Sequence, residues 1–499
     1  MTRAARRVPS PSVDLPQLRI PLARVARVVD AEIHGDAGVL VREAAYDSRD
    51  VPAGALFFCI PGETVDGHSF AMEAVAAGAA GLVVERWLDV DAPQLRVASV
   101  REAIGPMSGA VFGDPAASMT MVGITGTNGK TTTTFLLEAV FRAARLRPGL
   151  VGTTGARLDG RPLALERTTP EAPDLHRLLA QMRAAGVDAV AMEVSSHALA
   201  QHRAGGIVFD VAVFTNLTQD HLDYHPTMED YFAAKANLFT PRHARQALVN
   251  AGDAWGRDLL ATIAIPSHTF AVDRDADLRA RDVQVDARGV SFAADGMEVR
   301  SGLRGRFNVE NCLAALGVAR ILGIDLDVAA QGLSRVREVP GRMEPIEAGQ
   351  DFLVVVDYAH TPDSIRNVLR GARSMAAGRV IIVFGCGGDR DRAKRPAMGE
   401  AATVAADLTI VTDDNPRSED PAAIIEEILP GARAGGGAFV VEHDRRAAIG
   451  RAVLEAAPGD VVVIAGKGHE TYQEIGDSLL PFDDRVVARE ALAALRGRP

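Results

Sequence analysis

The sequence predicts an α/β protein of three domains, with a buried parallel sheet at its centre and a doubly wound sheet at its end. Its 499 residues leave room for about three ordinary domains, each with its own core. The chain is 47% hydrophobic yet only 5% aromatic, with 47 glycines and many Ala/Val runs, a composition that suits layered strands and helices. Apolar runs of strand length alternate with helical periodicity along most of its length. The expected domain boundaries fall at 1–98, 99–340 and 341–499.

The first segment carries short apolar runs at Ala55 to Ile60 and Leu82 to Val84, separated by turn residues such as Pro61-Gly62-Glu63, as in a small α/β domain. A helical connector from Val100 to Phe112 follows, and then the apolar run Met119 to Ile124 ends in a glycine-rich turn. Ala189 to Val194 and Val208 to Thr215 are near-continuously apolar, with a helical pattern at Leu175 to Ala185, which predicts a parallel sheet buried on both faces. From Leu278 to Arg304 the pattern turns to polar/apolar alternation, predicting antiparallel hairpins before a helix at Asn311 to Leu322. After the break at Val339-Pro340-Gly341, five apolar runs recur at Phe352 to Val356, Val380 to Phe384, Leu408 to Thr412, Phe439 to Val441 and Val461 to Ala465. In such a doubly wound sheet ligands sit at the carboxyl ends of strands, which directs attention to Asp357, Gly385, Asp413, Glu442 and Gly466.

Several function classes are excluded. A net charge of −11 without a long basic run argues against a nucleic-acid binder. The basic start, Arg3, Arg6 and Arg7, is followed by Pro9, Ser10, Pro11 and Asp14 instead of an apolar stretch, so no secretion is expected. No run of about 18 uncharged apolar residues is present to span a bilayer. Cys59, Cys312 and Cys386 are widely spaced and fit buried thiols of a reducing cytoplasm. A cytoplasmic monomer is expected.

The chemistry begins at Gly126-Thr127-Asn128-Gly129-Lys130-Thr131-Thr132, which follows an apolar strand and opens a helix. Backbone N–H groups and the helix dipole there face a phosphate, Lys130 adds a point charge, and Thr131 is the natural Mg2+ ligand. Ile124 stands where the common P-loop pattern has its first glycine. Glu193 ends the next buried strand and is either a cation ligand or an exposed strand-end carboxylate. His221 and His225 are no zinc-protease pair, since no glutamate follows His221 and Pro226 stops any helix carrying both. A role for His221 beside a magnesium site stays open. Lys235, by sequence alone, reads as a solvated helix lysine.

Gly126 to Thr132, Glu193 to His197, Asp220 to His225, Ala233-Ala234-Lys235, Gly305 to Asn311 and Asp357-Tyr358-Ala359-His360-Thr361-Pro362 stand in the order seen in the Mur ligases. The chain resembles that family over nearly its whole length, and most of all its diaminopimelate-adding members. The resemblance implies a three-domain architecture with a P-loop ATPase-like central sheet and a Rossmann-like last domain. It implies catalytic roles for Lys130, Glu193, His221 and Lys235, with Lys235 carbamylated so that it joins Glu193 and His221 around a second Mg2+. Asn311, Arg342 and Asp357 are expected to contact ATP, Arg342 at the phosphates and Asp357 at the ribose. Tyr46, Ser48, Glu63, Thr64 and Val65 match the UDP-binding segments, whose plain alternative is turn structure. Thr168, Thr169, Ser195, Gln201 and Arg203 match the contacts of the peptide portion, while Arg167 replaces an asparagine common in relatives.

The amino-acid end is expected at Thr412-Asp413-Asp414-Asn415-Pro416-Arg417, which follows a strand and places a guanidinium where it can grip a carboxylate bidentately. It is similar to the Asp-Asn-Pro-Arg motif of diaminopimelate-adding enzymes, with Arg390, Gly466 and Glu470 at the remaining amino-acid contacts. Lysine lacks the carboxylate that Arg417 would bind. The implied reaction joins meso-2,6-diaminopimelate to UDP-N-acetylmuramoyl-L-alanyl-D-glutamate with ATP, through an acyl phosphate. A folylpolyglutamate synthase shares the central architecture, but the first domain and the Arg417 motif speak against it.

Overall fold

The computed structural model describes residues 18–496 except 63, 64, 164 and 166. Arg3, Arg6, Arg7, Pro9, Ser10, Pro11 and Asp14, and the candidate ligands Glu63 and Thr64, lie outside the described residues.

The centre is a nine-stranded sheet. Thr120–Thr125 lies between Ala189–Glu193 and Phe209–Phe214, parallel to both, and parallel pairing continues outward through Ala244–Asn250, Ser267–Ala271 and Leu278–Arg279. Successive side chains of a strand point to opposite faces. Thus Val122 and Ile124 enter one core with the helices Lys130–Ala143 and Phe307–Ile321, whereas Met121 enters a second core with Ala172–Ala184. Burial on both faces is why these strands read as continuous apolar runs.

Two local expectations shift. Leu278–Arg279 joins the parallel sheet, and the antiparallel insertion is the three-stranded sheet Arg281–Asp286, Gly289–Ala294 and Met297–Ser301. The helix expected from Asn311 begins at Phe307, which seats Asn311 one turn inside it. The connector helix, Val100–Val111, packs with Ala172 and Ala180 in one core under the N-terminal sheet. That sheet has the order Glu32–His34, Gln94–Arg96, Gly81–Val84, Ala55–Phe58, Glu43–Ala45.

In the last part of the chain Val461–Ala465 returns between Leu353–Asp357 and Val380–Phe384, with Leu408–Val411 and Phe439–Val441 continuing in parallel. Val355, Ile382 and Val463 face one core, and Val354, Ile381 and Val462 face another, so helices cover both sides as expected of a doubly wound sheet. Among the described residues no helix is long and apolar enough to cross a membrane.

Candidate active site

The loop after Thr120–Thr125 is shaped by its glycines. Gly126 and Gly129 have φ of 145° and 88°, and a Cβ on them would lie 1.9 Å from Thr215 Oγ1 and 2.4 Å from Asn311 Oδ1. Only glycine fits such a fold-back. Thr215 and Asn216, from the end of the neighbouring strand, hold the loop: Thr215 Oγ1 donates to the Asn128 carbonyl at 2.6 Å, and the Asn128 N–H donates to Asn216 Oδ1 at 2.9 Å. Lys130 Nζ folds back onto the carbonyls of Gly126 and Thr127, at 2.9 and 2.8 Å. Thr132 is buried in the first turn of the helix.

Exposure is ruled out for the two residues whose roles the sequence leaves open. Glu193 is wholly buried, and its carboxylate accepts from Thr153 N–H at 2.8 Å and Thr153 Oγ1 at 3.0 Å. Lys235 is only 1% exposed, because Met228–Ala236 folds back over the loop and Tyr231 roofs the amine at 4.5 Å. Lys235 Nζ donates to the same Gly126 carbonyl as Lys130, at 2.9 Å. Burial first, and then the Lys130 ammonium, hold Lys235 well below the ordinary lysine value, against an opposing pull from Asp220. Two ammonium groups on one carbonyl are unfavourable, which works against the charged form of Lys235. His221 has a left-handed φ of 57° and sits edge-on to His197 at 4.7 Å and to Tyr231 at 6.0 Å. Burial pushes the His197 imidazole down to about 4.

Residues from the last part of the chain reach this centre. Arg342 Nη2 donates to Thr131 Oγ1 at 3.0 Å, with its guanidinium over the Tyr358 ring at 4.7 Å. Asn128 donates to Asp363 at 3.3 Å, and His469 Nε2 lies 3.1 Å from the Thr153 carbonyl. Asp357 is buried and differently engaged than a free ribose ligand: its two oxygens accept the N–H groups of Met343 and Ala359 at 2.7 and 2.8 Å.

The segment after Leu408–Val411 forms a second polar cluster. Asp414 Oδ1 accepts the Asn415 N–H at 2.7 Å, and Asp414 abuts Gly466, whose φ of 116° and missing Cβ make room for the carboxylate. Asn415 Nδ2 donates to Glu470 Oε2 at 2.8 Å. Pro416 lends its carbonyl to the turn that continues to Glu419. Arg417 adopts φ 52°, and its guanidinium is already engaged, with Nε on Glu474 at 3.1 Å and Nη1 on the Gly388 carbonyl at 2.6 Å. Arg390 is exposed and bonds the Asp389 carbonyl, across Gly387 from Arg417.

Between the clusters lie the expected peptide contacts. Thr168 Oγ1 is 3.1 Å from Thr153 Oγ1, Thr169 Oγ1 donates to the Glu193 carbonyl at 2.9 Å, and Ser195 caps the short helix through the Ala198 N–H. Arg203 bonds Gln201 and Glu171, and Glu171 also takes Arg101 and Arg167, so Arg167 is drawn away to a salt bridge of 2.5 Å. In the N-terminal part Tyr46 donates to Asp174 at 2.7 Å, Ser48 is half-buried beside it, and Val65 is 53% exposed. These do not join the phosphate loop.

Three family models match this chain: the Mur ligase family catalytic domain over residues 41–108, the Mur ligase middle domain over 124–319, and the Mur ligase glutamate ligase domain over 341–468. The chain belongs to the Mur ligase family. A curated relative from Geobacillus thermodenitrificans, named UDP-N-acetylmuramoyl-L-alanyl-D-glutamate--2,6-diaminopimelate ligase, is 46% identical over 461 residues, 90% of this chain and 94% of the relative. One of the same name from Streptomyces avermitilis is 43% identical over 498 residues, 95% and 98% of the two chains. A solved structure of a protein of that name superimposes with a TM-score of 0.70 at 34% identity, over 96% of this chain and 100% of the other.

As a Mur ligase the chain carries candidate oxygen donors for a hard cation in the Thr131 hydroxyl and the buried Glu193 carboxylate, while His221 packs against His197 and Tyr231. Among the described residues no three His, Cys, Asp or Glu side chains form a metal-holding group, so any cation there draws on other donors as well. A lysine whose charged form is disfavoured, as at Lys235, fits conversion to an anionic carbamate. Sequence reasoning misses Thr153, Thr215, Asn216 and Tyr231, which shape the loop and bury Glu193 and Lys235. Thr215 and Asn216 directly follow a buried strand, and the strand-end rule that points to Asp357 and Gly466 would also find them.

Proposed function

We propose that this chain is the ATP-dependent ligase that adds meso-2,6-diaminopimelate to the D-glutamate of UDP-N-acetylmuramoyl-L-alanyl-D-glutamate, acting as a cytoplasmic monomer without nucleic acid or membrane insertion. Residues 1–98 would hold the nucleotide sugar, 99–340 ATP, and 341–499 the incoming amino acid. The observation that carries the reading is that Glu193, whose charge acts on Lys130 of the phosphate loop, is bonded by Thr153, and the Thr153 carbonyl in turn meets His469, one residue before the Glu470 that Asn415 bonds.

In this reading the loop amides, Lys130 and Arg342 bind the triphosphate and orient its terminal phosphoryl group toward the D-glutamyl side-chain carboxylate, held by Thr168, Thr169, Ser195, Gln201 and Arg203. Carboxylate oxygen attacks phosphorus, ADP leaves, and the diaminopimelate amine then attacks the acyl carbon and expels phosphate. The chain forms no covalent bond to substrate. Thr131, Glu193, His221 and Lys235 as a carbamate would hold two Mg2+ ions, which supply charge neutralisation between carboxylate and triphosphate when bound. Carbamylation would replace an ammonium disfavoured beside Lys130 with an anion that Lys130 attracts. Asn311 packs against Gly129 to keep the loop in shape, and Asp357 anchors the turn that carries Arg342. Contacts made by the last domain exclude water from the acyl phosphate.

Arg417 would select the amino acid by its distal carboxylate, with Arg390, Asp414, Asn415, Pro416, Gly466 and Glu470 around it. Phosphate release with purified protein tests the reading. It should require ATP, UDP-N-acetylmuramoyl-dipeptide and meso-diaminopimelate together, and release that is independent of the amino acid would overturn it.

A further inference from the structure

Lys467 is used by none of these steps, although its side chain is fully buried. An ammonium survives burial only when paired and hydrogen-bonded. Its Nζ donates to Asn415 Oδ1 at 2.8 Å and to Glu470 Oε2 at 3.1 Å, over the Tyr472 ring at 5.6 Å. Asn415 Oδ1 also accepts the Glu474 N–H at 3.0 Å, while Nδ2 donates to Glu470 Oε2 at 2.8 Å. The amide therefore has one allowed orientation: flipped, its NH2 would face an ammonium and an N–H. Glu470 Oε2 is held by two donors, whereas Oε1 has no partner among the described residues.

We propose that Lys467 is a positioning residue of the amino-acid pocket, locking Asn415 and Glu470 so that Glu470 Oε1 faces the ammonium group of the incoming amino acid. This deepens the proposed function and rests on its assignment of that pocket. Glu470 must be ionised to act so. Burial raises its pKa and the Asp414 charge adds to this, while Lys467 and the Asn415 hydrogen bond oppose. The other groups facing it are Tyr358, Tyr472 and, across Asp414, Arg445.

The test compares Lys467→Met and Lys467→Arg in the full chain, with ATP and the UDP-dipeptide saturating. Loss of the charge should raise KM for meso-diaminopimelate by about 30-fold, a usual cost of breaking a buried charge pair, and leave KM for ATP within about twofold. The acid limb of kcat/KM for diaminopimelate should move to higher pH in Lys467→Met, because Glu470 then takes up its proton sooner, and stay in place in Lys467→Arg. Should the Met variant fail to fold, Lys467→Gln, which can still donate to Asn415, is expected to show the same limb shift. A wild type that ligates nothing sinks the proposed function. An active wild type whose neutral variants keep the acid limb, or raise both KM values equally, sinks the positioning role alone.

Discussion

Replacing Arg417 by alanine removes the guanidinium and little else. The left-handed φ of 52° is strained for any residue with a Cβ, and arginine already bears that strain, so alanine adds none. The backbone contacts survive as well: Arg417 N–H to the Glu474 carbonyl at 3.0 Å, and Gly476 N–H to the Arg417 carbonyl at 2.7 Å. In the proposed reading, what is lost is the pairing partner of a substrate carboxylate, together with the ion pair to Glu474 at 3.1 Å. Breaking a buried charge pair costs about 2 to 5 kcal/mol. The Arg417 side chain is 20% exposed and already shares Nε with Glu474, which puts the loss in the lower half of that range. About 2 to 3 kcal/mol corresponds to a fall of about 30- to 150-fold in kcat/KM for meso-diaminopimelate. The assay measures ligation of diaminopimelate and of L-lysine by wild type and variant at saturating ATP. Lysine use should change little. An equal proportional loss for both amino acids would refute the reasoning, because Arg417 would then shape the loop without choosing the substrate.

Lys130→Ala should abolish ligation while thermal unfolding stays near wild type, since the amine's partners are two loop carbonyls and no core side chain; retained turnover would remove the phosphate-loop assignment. Lys235→Ala should be inactive and regain partial activity with acetate or formate, which supply oxygen ligands where the carbamate would stand; mass spectrometry in bicarbonate should show the added carboxyl on the wild type only. His176 is buried, with Nε2 2.9 Å from the Gly205 carbonyl and Nδ1 without a partner. Burial lowers its folded pKa, so below the ordinary value of about 6.5 the unfolded chain takes up a proton first, and stability falls as pH drops. The loss should approach about 1.4 kcal/mol per pH unit at most, and His176→Gln should flatten the stability profile; an unchanged slope would show that another group dominates.

The doubly wound sheet and the phosphate loop are legible in the sequence because their signals are local: a continuous apolar run, a glycine-rich turn and a helix start in one stretch. Burial of Glu193 and Lys235 is not, since it depends on Thr153 and Tyr231 arriving from other segments. A glutamate at a strand end and a lysine on a helix have the same spelling whether or not something covers them. The ion pair of Arg445 and Asp484 is equally hidden: both are fully buried, joined at 2.8 and 2.7 Å, and 39 residues apart in sequence. Arg445 also donates to the Ala465 carbonyl, which braces the strand end carrying Gly466 and Lys467. On sequence alone Arg417 is a cation awaiting its substrate, and its standing partner Glu474 lies on a hairpin that no motif announces.

Transfer of a carboxylate oxygen to phosphate tests the central claim most directly. UDP-N-acetylmuramoyl-L-alanyl-D-glutamate labelled with 18O in the glutamyl side-chain carboxylate should, on ligation with diaminopimelate, deliver one labelled oxygen to each inorganic phosphate, read by mass spectrometry. Product formed with unlabelled phosphate would contradict phosphorylation of the carboxylate, and with it the role of the phosphate loop in directing ATP to that carboxylate.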